Sequence, residues 1–230
     1  MHYCGVVPAL GLLQLAMLEE VRRPEPPIRL AAVFFEPGSA AQISAELTAL
    51  GEAVVAIGAP TSGGRRACDE LLRGRGIPPA RPDAEALRLA ESLACMGSFE
   101  PPTDGPEGPV PEGAFRDGPV FETNADAVFS ALQGRRLPAK RHPQGIRLRV
   151  DELAGSHVLD DGGDLWQRRI EEIDAAAAAL CAHRFAVGHA SWLGDPAEAV
   201  IVLPGSSIPG EFSTRGVLAP VERLHLPRVD

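Results

Sequence analysis

Apolar runs and short breaks alternate through the first quarter of the chain. Residues 2–7 and 12–18 are apolar stretches parted by Pro8 and Gly11, which predicts a hairpin. Residues 29–35, rich in Val and Phe, add a third strand and complete a meander. Ser39 then opens a helix in which Ile43, Leu47 and Leu50 recur at helical spacing, and Gly51 ends it. The run AVVAI at 53–57 is short, apolar and β-branched, the signature of a buried strand parallel to its neighbour.

The middle is less regular. Residues 66–73 predict a short helix, and 84–96 a better one carried by Leu87, Leu89, Ala90, Leu93 and Ala94. Residues 100–117 are dense in Pro, Gly and acid, which suits a loop or insertion. A strand is expected at 119–122. Thr123 or Asn124 then caps a helix over 125–132 that stops at Gly134. A further helix is expected over 144–153. The longest runs from 165 to 185, with Ile170, Ile173, Ala177, Leu180, Cys181 and Phe185 on one apolar face. AVIVL at 199–203 reads as the last strand, before an irregular Pro- and Gly-rich tail. There is no internal repeat. The pattern is a mixed-sheet α/β fold, a single domain over residues 1–230 with a Pro/Gly-rich insertion near 97–118.

Charge narrows the choice of partner. The net charge of −9 argues against binding nucleic acid over the whole surface, because that binding rests on basic groups releasing counterions. Arg135, Arg136, Lys140, Arg141, Arg147 and Arg149 nevertheless fall within one short stretch. It reads either as a local phosphate-facing patch or as a solvated loop. Lys140 is the only lysine in the sequence, which reads as compositional habit. The four cysteines are scattered without a CxxC pair, as expected of reduced thiols in a cytoplasmic protein. No apolar run reaches the ~18–20 residues of a membrane helix, and the apolar start, lacking a basic leader, reads as a strand rather than a signal peptide.

Several motifs fail on their residues. GAPTSGGR at 58–65 has the glycine spacing of a phosphate loop but lacks its lysine and hydroxyl. No GxSxG elbow occurs, and GSSIPG at 205–210 has the wrong spacing. His183 and His189 have no third ligand nearby in sequence and read as surface or capping residues. Trp166 and Trp192 read as packing residues.

The order of the remaining segments resembles a family of predicted nucleases of the ribonuclease H-like fold, grouped as domain of unknown function 429. The likeness is carried by FETNADAVFSALQGRRLPAKRHPQGIRLR (121–149), EEIDAAAAALCAHRFAVG (171–188) and AEAVIVLP (197–204). CGVVPA, VAIGAPTS and ACDELLRGRG match the family's early segments. The resemblance implies a three-strand meander followed by helix–strand units, with helices on both faces of the sheet. It implies metal-dependent phosphodiester hydrolysis, with acids at the first strand, the fourth strand, a later strand and the closing helix.

At those places stand Val7, Gly58, Glu122 and Asp174. Valine cannot ligate a metal and glycine offers only backbone, so two carboxylates remain, a poor cage for magnesium. Asp69 and Arg147 match the family pattern as well. Read without the family, Glu122 is a helix-entry acid favoured by the helix dipole, and Asp174, on the apolar face of its helix, needs a partner such as Arg147. The expectation is a nuclease-fold protein with a remnant site of Glu122 and Asp174, with no cofactor and no metal-dependent hydrolysis. Its cleft would be kept for nucleic acid or protein, with Arg135, Arg136, Lys140, Arg141 and Arg149 as the candidate nucleic-acid contacts. Two alternatives stay open. One is an active magnesium or manganese nuclease that keeps Glu122 and Asp174 as ligands and recruits other acids such as Asp69, Glu36, Asp160, Asp161 and Asp164. The other is an interaction protein with no nucleic-acid role.

Overall fold

A computed structural model describes residues 1–21, 28–64, 66–102, 105–160 and 162–212. The strands are β1 (His2–Ala9), β2 (Leu12–Val21), β3 (Arg29–Phe34), β4 (Ala53–Ile57), β5 (Glu107–Pro109), β6 (Val120–Glu122), β7 (Val158–Asp160), β8 (Ala190–Asp195) and β9 (Ala199–Pro204). The helices are α1 (Ala40–Leu50), α2 (Ala67–Gly74), α3 (Ala84–Ser92), α4 (Ala125–Gln133), α5 (Pro143–Gly155) and α6 (Ile170–Ala186).

One sheet has the order β6-β4-β1-β2-β3-β7. β1, β2 and β3 form the expected antiparallel meander. β4 lies parallel to β1, β6 parallel to β4, and β7 parallel to β3. Alternation along β1 sends Cys4 and Val6 into a core with α1 and α3, and Tyr3 and Val7 into a second core under α6. Helices therefore cover both faces.

Local chemistry explains the well-read elements. Ser39 and Gln42 form a reciprocal capping box at α1. Asn124, not Thr123, caps α4 by accepting from Ala127 N at 3.0 Å. Gly134 ends α4 in a left-handed conformation.

Beyond β7 and β8, which the sequence reading lacked, three elements depart from it. The expected last strand, β9, does not join the main sheet; it pairs with β8, which pairs in turn with β5, in a separate three-stranded sheet. The expected insertion near 97–118 supplies β5, so part of it is tied into that sheet. The expected long helix begins only at Ile170, after a 3₁₀ turn over Leu165–Gln167.

α6 is buried on nearly every side, not along one face. It is held between β1, α4 and α5, with the second sheet also against it. Five consecutive alanines, Ala175 to Ala179, make this approach sterically feasible. On the strand side the matching residue is Gly5, where an added Cβ would stand 2.1 Å from Ala175 O and 2.2 Å from Ala179 N. His183, expected at the surface, is buried in this layer, edge-on to Tyr3 at 4.8 Å between ring centroids. Trp192 is fully buried as a packing residue, whereas Trp166 is half exposed. No described helix is long and apolar enough to cross a membrane.

Candidate functional site

The C-terminal ends of β1, β4 and β6 come side by side. Gly58 N donates to Val6 O at 2.7 Å just past β4, and Ile57 is in register with Glu122. Val7 faces α6 from the end of β1. A Cβ built on Gly58 would lie only 2.7 Å from Val7 Cγ1, so the valine side chain fills the space that a larger residue at 58 would need. Beside this apolar floor is a cavity of about 330 Å³ lined by Val7, Gly58, Asn124, Asp126, Lys140 and Asp174, with Pro78 and Pro79 at its wall.

Asp174 is 4% exposed. Its Oδ2 accepts from Lys140 Nζ at 2.8 Å, while Oδ1 is buried without a partner. Burial pushes the carboxyl up to about 6 even with the ammonium beside it. For Lys140, burial alone would lower its pKa, but the charge and hydrogen bond of Asp174 prevail and hold it above the ordinary lysine value. Asp126 Oδ1 accepts from Arg149 Nη2 at 2.6 Å. Arg149 is itself buried, and its Nη1 also donates to Pro138 O and Gly145 O.

Glu122 does not join this group. Buried at the end of β6, it is paired with Arg66 and accepts from Thr61 N at 2.9 Å and Thr61 Oγ1 at 3.2 Å. It lines a different cavity of about 490 Å³ with Thr61 and Phe99. Burial raises the pKa of Glu122, against the lowering effect of Arg66 and Thr61. Asp69 belongs with Glu122, its Oδ2 lying 3.6 Å from Arg66 Nε. The two expected remnant acids therefore sit in separate cavities, each with its own cation.

Arg147 does not reach Asp174. It lies exposed on α5, with Nε 3.5 Å from Asp151 Oδ2 one helical turn away. The other basic residues also disperse. Lys140 and Arg149 turn inward to carboxylates, Arg135 donates to Gln133 Oε1, Arg136 is exposed, and Arg141 is exposed at 3.5 Å from Glu171. Sequence reading missed Arg66 and Asp126 and took Lys140 for part of a surface stretch. The signal for Asp126 was local, an acid two residues past the Asn124 cap. The Arg66–Glu122 and Lys140–Asp174 pairings have no local signal.

The acids proposed for a rearranged metal cage are elsewhere. Asp160 is held by Arg168 at 2.6 and 2.8 Å, Asp164 caps a turn at Trp166 N, and Glu36 is exposed. Asp161 lies outside the described residues. Among the described residues, no three His, Cys, Asp or Glu side chains converge as a metal-ligand set. The oxygen donors at the strand ends do not fit a magnesium or manganese ion: two of the four places offer no side-chain oxygen, and the acid on α6 already faces an ammonium.

Asp174 makes the site sensitive to pH. Its folded value of about 6 against 3.8 unfolded means that the native state binds the proton more tightly. The associated stabilisation, about 3 kcal/mol, is complete below the unfolded value and is lost as pH rises through about 6. Asp174→Asn lacks this titration. Its stability relative to the unsubstituted protein is expected to rise between pH 4 and pH 7, measured by urea unfolding at each pH. A constant difference would show that Asp174 titrates normally.

Compared with known proteins, the chain matches no family model, no curated protein and no solved structure.

Proposed function

We propose that this chain is a ribonuclease H-like protein, related to predicted nucleases, whose cleft binds a partner without metal-dependent hydrolysis. The observation that carries this reading is the packing of Val7 against Gly58 at the ends of β1 and β4. In-line phosphodiester hydrolysis of this type needs clustered carboxylates to hold metal ions that activate water and stabilise the leaving oxygen. Here a hydrophobic contact takes up that ground. The fold assignment is supported by the sequence resemblance together with the strand order, in which the β3-β2-β1 meander continues through β4 and β6 parallel to β1.

The test is direct. The purified chain, incubated with magnesium or manganese and single- or double-stranded RNA and DNA, is expected to release no products above a buffer control. Cleavage that Asp174→Asn abolishes would overturn the reading.

A second reading, an interaction protein with no nucleic-acid role, is favoured by the dispersal of the basic stretch, since Lys140 and Arg149 are engaged with buried acids. Filter binding at low salt separates the two. Retention of RNA or DNA that weakens with Arg141→Glu and Arg147→Glu supports a nucleic-acid partner; no retention supports the second reading.

A further inference from the structure

Building on the non-hydrolytic reading, we infer that Lys140 is a tethered cation that closes the cavity at Asp174 to divalent metal. Its ammonium, 2.8 Å from Asp174 Oδ2, lies against the carboxylate where a metal would otherwise bind. The second oxygen of Asp174 is sealed from solvent and has no partner, so no free face of the carboxylate is left for an incoming ion. The remaining acid of the cavity, Asp126, is engaged by Arg149 at 2.6 Å. Two carboxylates thus meet two cations without metal, and Arg81 on the same cavity wall adds a further positive charge. An entering divalent ion would meet ammonium and guanidinium repulsion and an apolar floor, with few of the six or more oxygens it requires.

The backbone holds the lysine there. The segment before α5 packs against that helix so closely that a Cβ on Gly145 would stand 2.1 Å from Ala139 O, immediately before Lys140. The half-exposed side chain carries its ammonium back into the cavity, its stem partly covered.

The lone lysine supplies the probe. Lysine labelled with ¹⁵N in the full chain yields one side-chain ammonium signal, expected to persist without broadening as manganese is added. Lys140→Met, which frees the face of Asp174 Oδ2 that the ammonium covers, is expected to gain a weak, saturable manganese site by electron paramagnetic resonance, with water supplying most of the ligands. Val7→Asp combined with Lys140→Met, which restores a carboxylate as well, is expected to bind about tenfold tighter. Lys140→Arg, which keeps the cation, is expected to gain no site. Stoichiometric broadening of the lysine signal in the unsubstituted chain would overturn the inference, as would a Lys140→Met chain with no gain in manganese binding. These two measurements decide the matter should the double variant not fold. Cleavage of nucleic acid with an unbroadened lysine signal would sink the non-hydrolytic reading and leave the tethered cation standing. Broadening without cleavage would do the reverse.

Discussion

Gly5→Val is expected to cost about 4 kcal/mol or more, lowering Tm by roughly 10 °C or preventing folding. The cause is backbone, not side-chain, crowding. A Cβ at position 5 would stand 2.1 Å from one carbonyl oxygen of α6 and 2.2 Å from an amide nitrogen one turn on. No rotamer change relieves a contact with main-chain atoms, so α6 would have to lift from β1. That movement would open the core shared by Val7, Phe121, Ala176 and Leu180. Gly74→Ala is the control. It lies in a helix with nothing near its added methyl, and it should be neutral or slightly stabilising. Thermal melts followed by circular dichroism distinguish the two. A Gly5→Val chain that melts with the unsubstituted protein would show that α6 approaches β1 less closely than these contacts require.

The second large effect is expected at Arg66. This residue and Glu122 are both nearly inaccessible to solvent and neutralise each other. Arg66→Ala would leave the Glu122 carboxylate buried with only Thr61 to meet it, at a cost of about 3–5 kcal/mol near neutral pH. The sign of the pH dependence follows from the direction of the shift. Burial already raises the pKa of Glu122, and loss of the guanidinium raises it further. The folded variant then holds a proton that the unfolded chain releases, so its stability falls as pH rises above the unfolded carboxyl value. Urea unfolding should show the deficit of Arg66→Ala shrinking as pH is lowered toward 5. Arg66→Met with Glu122→Gln should recover much of the loss, because no buried charge is left unpaired. A deficit independent of pH would assign the loss to packing instead.

Legibility from sequence followed the range of the interactions. The meander, β4 and α1 were readable because period-2 runs, a capping serine and a terminal glycine are local signals. The short strands β5 and β7 were not, because β5 lies among prolines and glycines and β7 follows close on α5; each exists only through a partner far along the chain. β8 was hidden by Ser191 and Gly194, which interrupt its apolar run but are accommodated in pairing with β9. α6 looked one-sided because alanine is indifferent in a helical pattern, yet the same alanines let three layers close around it. His183 was misplaced because its neighbours Tyr3 and Glu20 come from other elements.

At the site, the identity of residues 7 and 58 was settled by sequence alone: neither side chain offers an oxygen in any fold. The same is true of the apolar runs that make the central strands, since hydrophobic periodicity is a property of neighbouring residues. Which charges meet was decided only in three dimensions. Asp174 finds Lys140, 34 residues away, and not Arg147; Glu122 finds Arg66 across 56 residues and occupies another cavity. Coulomb attraction depends on distance through space and on burial, neither of which is written in spacing along the chain.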